Sequence, residues 1–197
     1  LHPELYKFEA ALIGEKRKEL HSVNGTFGFR NINKSKGHII LNGEKIFLRG
    51  TLECSVFPLT GHPPMEKEEW NELILKARNY GLNHLRFHSW CPPEAAFAAA
   101  DELGFYLQAE LPNWNLSYGE DEDVVEFLEA EADRILKEYG DHPSFIMFCM
   151  GNELMGDFDR INGLVKRLKE SDNRHLYAAT AFTFQRDHWG FHEPYDD

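Results

Sequence analysis

Polar and charged side chains recur at every second position in three segments that have the composition of strands. They are Arg49, Thr51 and Glu53 in the first segment, His84, Arg86 and His88 in the second, and Gln108 and Glu110 in the third. Because side chains alternate between the two faces of a strand, each segment is expected to have one polar and one apolar face. A shared face that carries carboxylates, imidazoles and a guanidinium suits a polar, hydroxyl-rich ligand.

A fourth segment supplies polar groups only at its end. Phe145 to Met150 is continuously apolar, which is typical of a strand buried on both faces, and Gly151, Asn152 and Glu153 follow it directly. We expect seven charged or ionisable side chains to converge at the carboxyl ends of the strands, here called the mouth: Arg49, Glu53, His84, Arg86, His88, Glu110 and Glu153. The alternative is that individual charges form structural ion pairs, since a buried charge is costly unless it is paired.

The elements that position these groups alternate between strand and helix. Helical spacing of apolar residues predicts helices over 65–80, 93–103, 120–139 and 159–170, and compact apolar runs predict strands over 82–87, 105–111, 145–150 and 176–180. Such βα units form a parallel sheet covered by helices, either an open doubly wound sheet or a closed barrel. The absence of a GxGxxG motif or P-loop argues against an open sheet that binds nucleotides. A polar face opposite the helices favours the closed barrel.

The amino-terminal part of the chain has a different character. Leu5 to Ala10 alternate like a strand, and Gly25 to Arg30 mix glycine with aromatic residues, which is typical of β-structure. Two β-rich runs flank Asn42-Gly43, which predicts a hairpin whose second run continues to Glu53. The fold class expected for the whole chain is therefore α/β, with the amino-terminal part of a (β/α)8 TIM barrel, about strands one to five, after a β-rich segment.

The composition excludes several classes of partner. The 197 residues carry a formal net charge of −12, so nucleic acid and anionic membrane surfaces are not expected partners. No apolar run approaches the length of a membrane span, and the first residues lack the layout of a signal peptide. Three widely spaced cysteines without a CxxC pair do not predict a disulfide framework.

Five blocks of the sequence resemble glycoside hydrolase family 2, the group of β-galactosidases, β-glucuronidases and β-mannosidases. In chain order they are Phe27-Gly28-Phe29-Arg30; Leu41-Asn42-Gly43 with Leu48-Arg49-Gly50; Asn83-His84-Leu85-Arg86; Asp101-Glu102-Leu103-Gly104 with the strand that ends at Glu110; and Asp141-His142-Pro143-Ser144 with Gly151-Asn152-Glu153. One block alone would be weak, but five in the same order are a specific signal.

The resemblance implies a fold and a mechanism. It implies that residues 1–30 are the last strands of an immunoglobulin-like β-sandwich and that residues 31–197 are an incomplete TIM-barrel catalytic domain. It also implies a retaining glycosidase in which Glu153 is the general acid and then the general base, while Asn152 hydrogen-bonds the sugar 2-hydroxyl. The nucleophile of that family ends strand seven, so we expect it outside these residues. No cofactor or metal is implied, and the expected location is periplasmic or extracellular, in a bacterium.

The pocket wall departs from the family's pattern at two places. After Arg86 the sequence reads Phe87-His88-Ser89-Trp90, and strand parity favours His88 as the histidine that faces substrate; Ala109-Glu110 stands where some relatives have Asp-Glu. The side chains expected to bind substrate are Asn152, Arg86, His88, Glu110, Trp114, Trp90 and Glu53. Trp90 and Trp114, and less strongly Tyr118 and Trp189, could stack on sugar rings, the alternative being ordinary loop packing.

Two other functions remain open at this stage. A metal-dependent barrel hydrolase could use His84 with His88, or His188 with His192, although no HExxH motif is present. A non-catalytic carbohydrate-binding piece is the other candidate, because a retaining glycosidase needs a second carboxylate that has no counterpart here. The expected partners are a carbohydrate and the remainder of the chain's own polypeptide.

Overall fold

The computed structural model describes residues 3–188 and residue 197. Its strands are β1 (Tyr6–Ile13), β2 (Glu19–Phe27), β3 (Ile32–Ser35), β4 (His38–Leu41), β5 (Glu44–Ile46), β6 (Gly50–Glu53), β7 (His84–Phe87), β8 (Tyr106–Glu110), β9 (Phe145–Cys149) and β10 (Leu176–Ala178). Its helices are α1 (Lys67–Asn79), α2 (Glu94–Leu103), α3 (Glu122–Tyr139) and α4 (Phe158–Ser171), with 3-10 turns at Glu15–Arg17 and Arg186–His188. No helix among the described residues has both the length and the apolar character that crossing a membrane requires.

A parallel sheet of five strands forms the centre of the fold. The strands lie in the order β6-β7-β8-β9-β10, and each is joined to the next by one of the four helices. This arrangement confirms the predicted α/β class with a parallel sheet. The ends of the helices agree with their sequence signals: Gly104 adopts the left-handed conformation after α2, and the side chains of Asp121 and Asp157 cap α3 and α4.

One face of the sheet and the helices enclose the main core. Leu85, Phe87, Leu107, Ala109 and Leu111 alternate along β7 and β8 and are buried with the apolar faces of the helices. The predicted apolar parity of β7 and β8 is therefore confirmed. In the first turn of α3, Val125 is buried and the neighbouring Val124 is exposed.

Two antiparallel units precede the parallel sheet. β1 and β2 form a hairpin, and β3, β4 and β5 form a three-stranded sheet. Asn42 and Gly43 both have positive φ in the turn between β4 and β5, which confirms the predicted hairpin. Ile32 and Leu41 of this small sheet pack against Ile146 and Leu176, near the amino ends of β9 and β10.

The predicted continuous run from the hairpin to Glu53 is wrong. β5 ends at Ile46 in the antiparallel sheet, and the chain crosses between the two sheets before β6 begins at Gly50. The register of β6 also corrects the predicted parity: Gly50 pairs with His84, Leu52 with Arg86, and Glu53 with Phe87. Thr51 and Glu53 therefore lie on the face opposite to Arg86.

The reason for this register lies at Gly50. A Cβ atom there would stand 2.5 Å from Nδ1 of His84, so a larger residue on this face of β6 would displace the imidazole. Parity within one strand identifies two faces, but only the contacts between strands determine which of them is the interior face.

Three of the blocks that resemble the family, at 27–30, 101–104 and 141–144, contact one another away from the polar mouth. Arg30 donates through Nη1 to the carbonyl oxygens of His142 and Phe145. Asp101 accepts from the backbone N–H of Ser144 at 2.8 Å and contacts Nδ1 of His142 at 2.6 Å. These residues fix the turn that leads into β9 and hence the position at which β9 ends.

Candidate active site

The carboxylate of Glu110 is the centre of a hydrogen-bond network at the carboxyl ends of the strands. The residue has no exposed surface. Arg86 donates to it from Nε at 2.6 Å and from Nη2 at 3.3 Å, Ser89 Oγ donates at 2.8 Å, and Gln108 Nε2 donates at 3.1 Å. The ion pair and the neutral donors together compensate the cost of burying this charge.

Arg86 extends the network to Asn152. Its Nη2 also donates to Oδ1 of Asn152 at 2.7 Å, so one guanidinium joins the ends of β7, β8 and β9. Asn152 is only 4% exposed, and its Nδ2 is buried without a hydrogen-bond partner among the described residues. A buried amide N–H without a partner costs about 1–3 kcal/mol, and an acceptor atom on a ligand would remove that cost.

Backbone geometry between Cys149 and Asn152 determines where the amide lies. Gly151 has a φ of +144°, and a Cβ atom at this position would lie 2.4 Å from the carbonyl oxygen of Asn113. Asn113 Nδ2 donates to the Met150 carbonyl oxygen, and the Asn152 N–H donates to the Asn113 carbonyl oxygen, both at 3.0 Å. Only glycine permits this approach of the loop after β8 to the end of β9.

Glu153 follows in a conformation that is rare for its residue type. Its φ is +52°, in the left-handed region that side chains other than glycine seldom adopt, and it is partly exposed. No hydrogen bond or ion pair engages its carboxylate within the described part of the chain. The backbone thus holds a carboxylate beside the Asn152 amide, and that carboxylate is not committed to a structural ion pair.

Trp114 and His88 form an aromatic wall near this network. Their rings meet edge to face with centroids 5.2 Å apart, and the indole is 57% exposed. Both line a cleft of about 490 Å³ whose other lining residues are Cys54, Ser89, Pro112 and Asn113. An exposed indole in a cleft is suited to stacking on a sugar ring.

The other aromatic candidates differ in their exposure. Trp90 is partly buried against the core, edge to face with Phe87, and its indole N–H donates to the Glu53 carbonyl oxygen at 3.4 Å. Tyr118 is 2% exposed and belongs to the core, so the suggestion that it stacks on a sugar is wrong; the loop-packing alternative holds. Trp189 lies outside the described residues, as does His192.

The predicted convergence of seven side chains is only partly present. The carboxylate of Glu53 accepts from the Ser55 N–H at 3.0 Å and has no contact with Arg86, Glu110 or Asn152; its pKa is raised by burial. Arg49 donates to the Gly81 carbonyl oxygen beside the amino end of the sheet.

His84 is also remote from the mouth, at the first position of β7. Burial and the charge of Arg86 lower its pKa to about 4, so the ring is neutral near pH 7. The mouth therefore contains Arg86, His88, Glu110, Asn152 and Glu153, but neither Arg49 nor His84.

Ser89 and Asn113 were missed by the sequence reasoning. Ser89 is out of phase with the polar parity of β7, and Asn113 lies beyond the end of β8, so neither has a periodic signal. Only the three-dimensional contacts with Glu110 and Met150 assign them to the site. Among the described residues, no group of three or more His, Cys, Asp and Glu side chains is arranged to hold a metal ion.

Comparisons with known proteins agree with this arrangement. No family model matches the chain. It is 28% identical over 178 residues to a putative β-glucuronidase of Formosa agariphila, covering 86% of this chain and 21% of that protein. It is 25% identical over 159 residues to a β-galactosidase of Vibrio vulnificus, covering 77% of this chain and 15% of that protein.

The solved structures show the same fold. A glycosyl hydrolase family 2 member from Bacteroides cellulosilyticus superimposes with a TM-score of 0.74 at 23% identity, over 89% of this chain and 24% of that one. The chain thus spans about a fifth of the length of the curated β-glucuronidase and about a quarter of that solved structure. The resemblance to glycoside hydrolase family 2 is confirmed: the chain is similar, over most of its length, to a segment of the β-glucuronidases and β-galactosidases of that group.

Proposed function

We propose that this chain supplies the acid/base half of a retaining β-glycosidase, which hydrolyses O-glycosidic bonds in β-glycosides. One observation carries the proposal. The buried side-chain nitrogen Nδ2 of Asn152, which has no partner among the described residues, lies next in sequence to a Glu153 carboxylate that no described residue engages. Glycoside hydrolysis requires a carboxyl group that protonates the leaving oxygen and a donor that holds a neighbouring hydroxyl. The Glu153 carboxyl and the Asn152 amide are suited to these two roles.

In the proposed first step, Glu153 donates its proton to the glycosidic oxygen as the bond from that oxygen to the anomeric carbon breaks. A second carboxylate attacks the anomeric carbon from the opposite face and forms a covalent glycosyl-enzyme. In the second step Glu153 accepts a proton from water, which displaces that carboxylate and restores the original configuration. Asn152 donates from Nδ2 to the oxygen of the 2-hydroxyl throughout.

The architecture that we propose for the whole protein follows from the strand order. Five parallel strands in sequential order, with helices on one face, are what the first five units of a (β/α)8 barrel contribute. On this proposal residues 31–197 belong to the barrel and residues 1–30 end an immunoglobulin-like sandwich. The second carboxylate then lies outside the 197 residues, about 5–5.5 Å from Glu153 in the assembled site.

The walls of the cleft supply the proposed contacts to the rest of the substrate. Trp114 presents its indole for stacking, with His88 at its edge. Trp90 and Glu53, which the sequence also suggested, are joined by a hydrogen bond from the indole N–H to the Glu53 backbone carbonyl oxygen and do not line this cleft. Arg86 and Glu110, which the sequence also suggested as substrate-binding residues, act on the substrate indirectly, through the network that ends on Asn152.

The leaving group of the substrate provides the test. In the intact protein that carries this chain, Glu153→Gln removes the proton donor, so turnover of a poor leaving group such as methanol should fall by about 10²–10⁴-fold. Release of 2,4-dinitrophenol, which leaves without protonation, should fall much less in that first step. Glu170→Gln, on the exposed carboxyl end of α4, is the matched control and should leave both rates unchanged. An equal loss with both leaving groups, or near-normal turnover of the methyl glycoside by Glu153→Gln, would refute the assignment.

A further inference from the structure

We infer that Glu110 is a positioning residue, which acts through Arg86 to fix the orientation of the Asn152 amide and does not itself contact the sugar. The inference rests on the proposed function and changes the role that the sequence suggested for Glu110. It makes the contact with the 2-hydroxyl a property of five side chains at the ends of three strands: Glu110, Arg86, Asn152, Ser89 and Gln108.

The Glu110 carboxylate has no acceptor capacity left for a ligand. Two carboxylate oxygens offer about four lone-pair sites. Arg86 occupies two of them, and Ser89 and Gln108 occupy one each. Because Glu110 also has no exposed surface, a sugar hydroxyl could reach it only by breaking one of these bonds.

Arg86 imposes a direction on the amide. A guanidinium has only donors, so the atom of Asn152 that faces it at 2.7 Å must be the oxygen. The amide nitrogen then lies on the other side of the group, where it is buried and has no described partner. If Arg86 lost its anchor on Glu110, the amide could rotate and present an acceptor in place of a donor.

The network therefore prepares a donor that selects for a hydroxyl oxygen on the ligand. A site built to hydrogen-bond a substrate hydroxyl discriminates strongly against the analogue that lacks it, because the buried polar group then stays unpaired. Glu110, Ser89 and Gln108 contribute to this selectivity from the far side of Arg86.

The test is a double-mutant cycle in the intact protein. The probe is the 4-nitrophenyl β-glycoside that wild type hydrolyses fastest among the galactoside, glucuronide and mannoside, together with its 2-deoxy counterpart. In Glu110→Gln, an amide replaces a carboxylate and cannot accept from all four donors. We expect kcat/KM for the 2-hydroxy substrate to fall by about 100-fold, as for a small misplacement of a substrate-positioning group. For the 2-deoxy substrate, and in an Asn152→Ala background, the same substitution should cost less than about 5-fold.

Glu102→Gln is the control, because its exposed carboxylate pairs with Lys67 on the outer surface. This variant should keep the wild-type kcat/KM for both substrates. If Glu110→Gln folds poorly, Ser89→Ala removes one of the four bonds and should show a smaller loss, again confined to the 2-hydroxy substrate. Equal losses on both substrates in an active enzyme would overturn the inference alone. A wild-type protein that hydrolyses none of the glycosides would overturn the proposed function and, with it, the inference.

Discussion

At the scale of single residues, the site depends on the conformations of Gly151 and Glu153. Gly151 lets the loop after β8 approach the end of β9, and Glu153 adopts a left-handed conformation immediately after the Asn152 amide. A residue held in a sparsely populated backbone region costs about 1–3 kcal/mol, and such residues cluster at functional sites. In this chain the strained backbone lies where the Glu153 carboxylate must be held beside the Asn152 amide.

A substitution at Gly151 tests that geometry. Gly151→Ala places a Cβ atom 2.4 Å from the Asn113 carbonyl oxygen, and the backbone cannot move away without displacing Asn152. We expect the free energy of unfolding to fall by about 1–3 kcal/mol, measured by chemical denaturation of the intact protein.

Gly163→Ala is the matched control for this experiment. Gly163 lies within α4, has open space around its Cβ position, and is exposed. The substitution there should stabilise the protein by about 0.5–1 kcal/mol. If Gly151→Ala were also neutral or stabilising, the close approach to Asn113 would not constrain the site.

At the scale of elements, different side chains fix the two ends of β9. Arg30 and Asp101 bind the turn before β9. Arg86, which Glu110 anchors, binds Asn152 after it. The two ends of one short strand are therefore fixed by different contacts. Correct placement of Asn152 depends on both.

Asp101→Asn should weaken the amino end of β9. The amide can keep one bond to Ser144, but it loses the charge that faces His142 at 2.6 Å. A hydrogen bond involving a charged group contributes about 1.5–3 kcal/mol, so a drop in stability of that order is expected. Thermal unfolding should detect it, and Glu102→Gln, one residue further along α2 on the exposed side, should stay within about 0.5 kcal/mol of wild type. A neutral Asp101→Asn would show that this turn does not need the contact.

The sequence predicted the helices and strands better than it predicted strand register and loop packing. The helices and the parallel strands follow from hydrophobic periodicity and from glycine or aspartate at their ends, which are local signals. The register of β6 is not local: it places Gly50 beside His84 and turns Glu53 away from Arg86. Tyr118 likewise lies in a loop after a predicted strand, where an aromatic residue suggests sugar binding, but its ring is buried in the core.

Within the site, residues at strand ends could be predicted and the loop residues could not. Asn152 and Glu153 follow a continuously apolar strand, so their position is visible in the sequence. Ser89 and Asn113 belong to no periodic pattern, and their roles arise from contacts between segments that are distant along the chain.

At the scale of the whole molecule, the parallel sheet has β6 and β10 at its two edges, and the small antiparallel sheet packs near the amino ends of β9 and β10. The Glu110 network lies at the carboxyl ends, where barrel enzymes place their active sites. A retaining site requires a nucleophilic carboxylate about 5–5.5 Å from Glu153. The proposed chemistry therefore belongs to the assembled protein, and its most direct test must report on both carboxylates together.

That test is the reaction of Glu153→Gln with azide and a 2,4-dinitrophenyl β-glycoside in the intact protein. The activated leaving group allows the glycosyl-enzyme to form without an acid, but hydrolysis of the intermediate then lacks its base. Azide needs no base, so we expect it to accelerate turnover and to give the β-glycosyl azide, identified by NMR of the anomeric proton. The absence of acceleration by azide, or an α-glycosyl azide as product, would contradict the assignment of Glu153 as the acid/base of a retaining site.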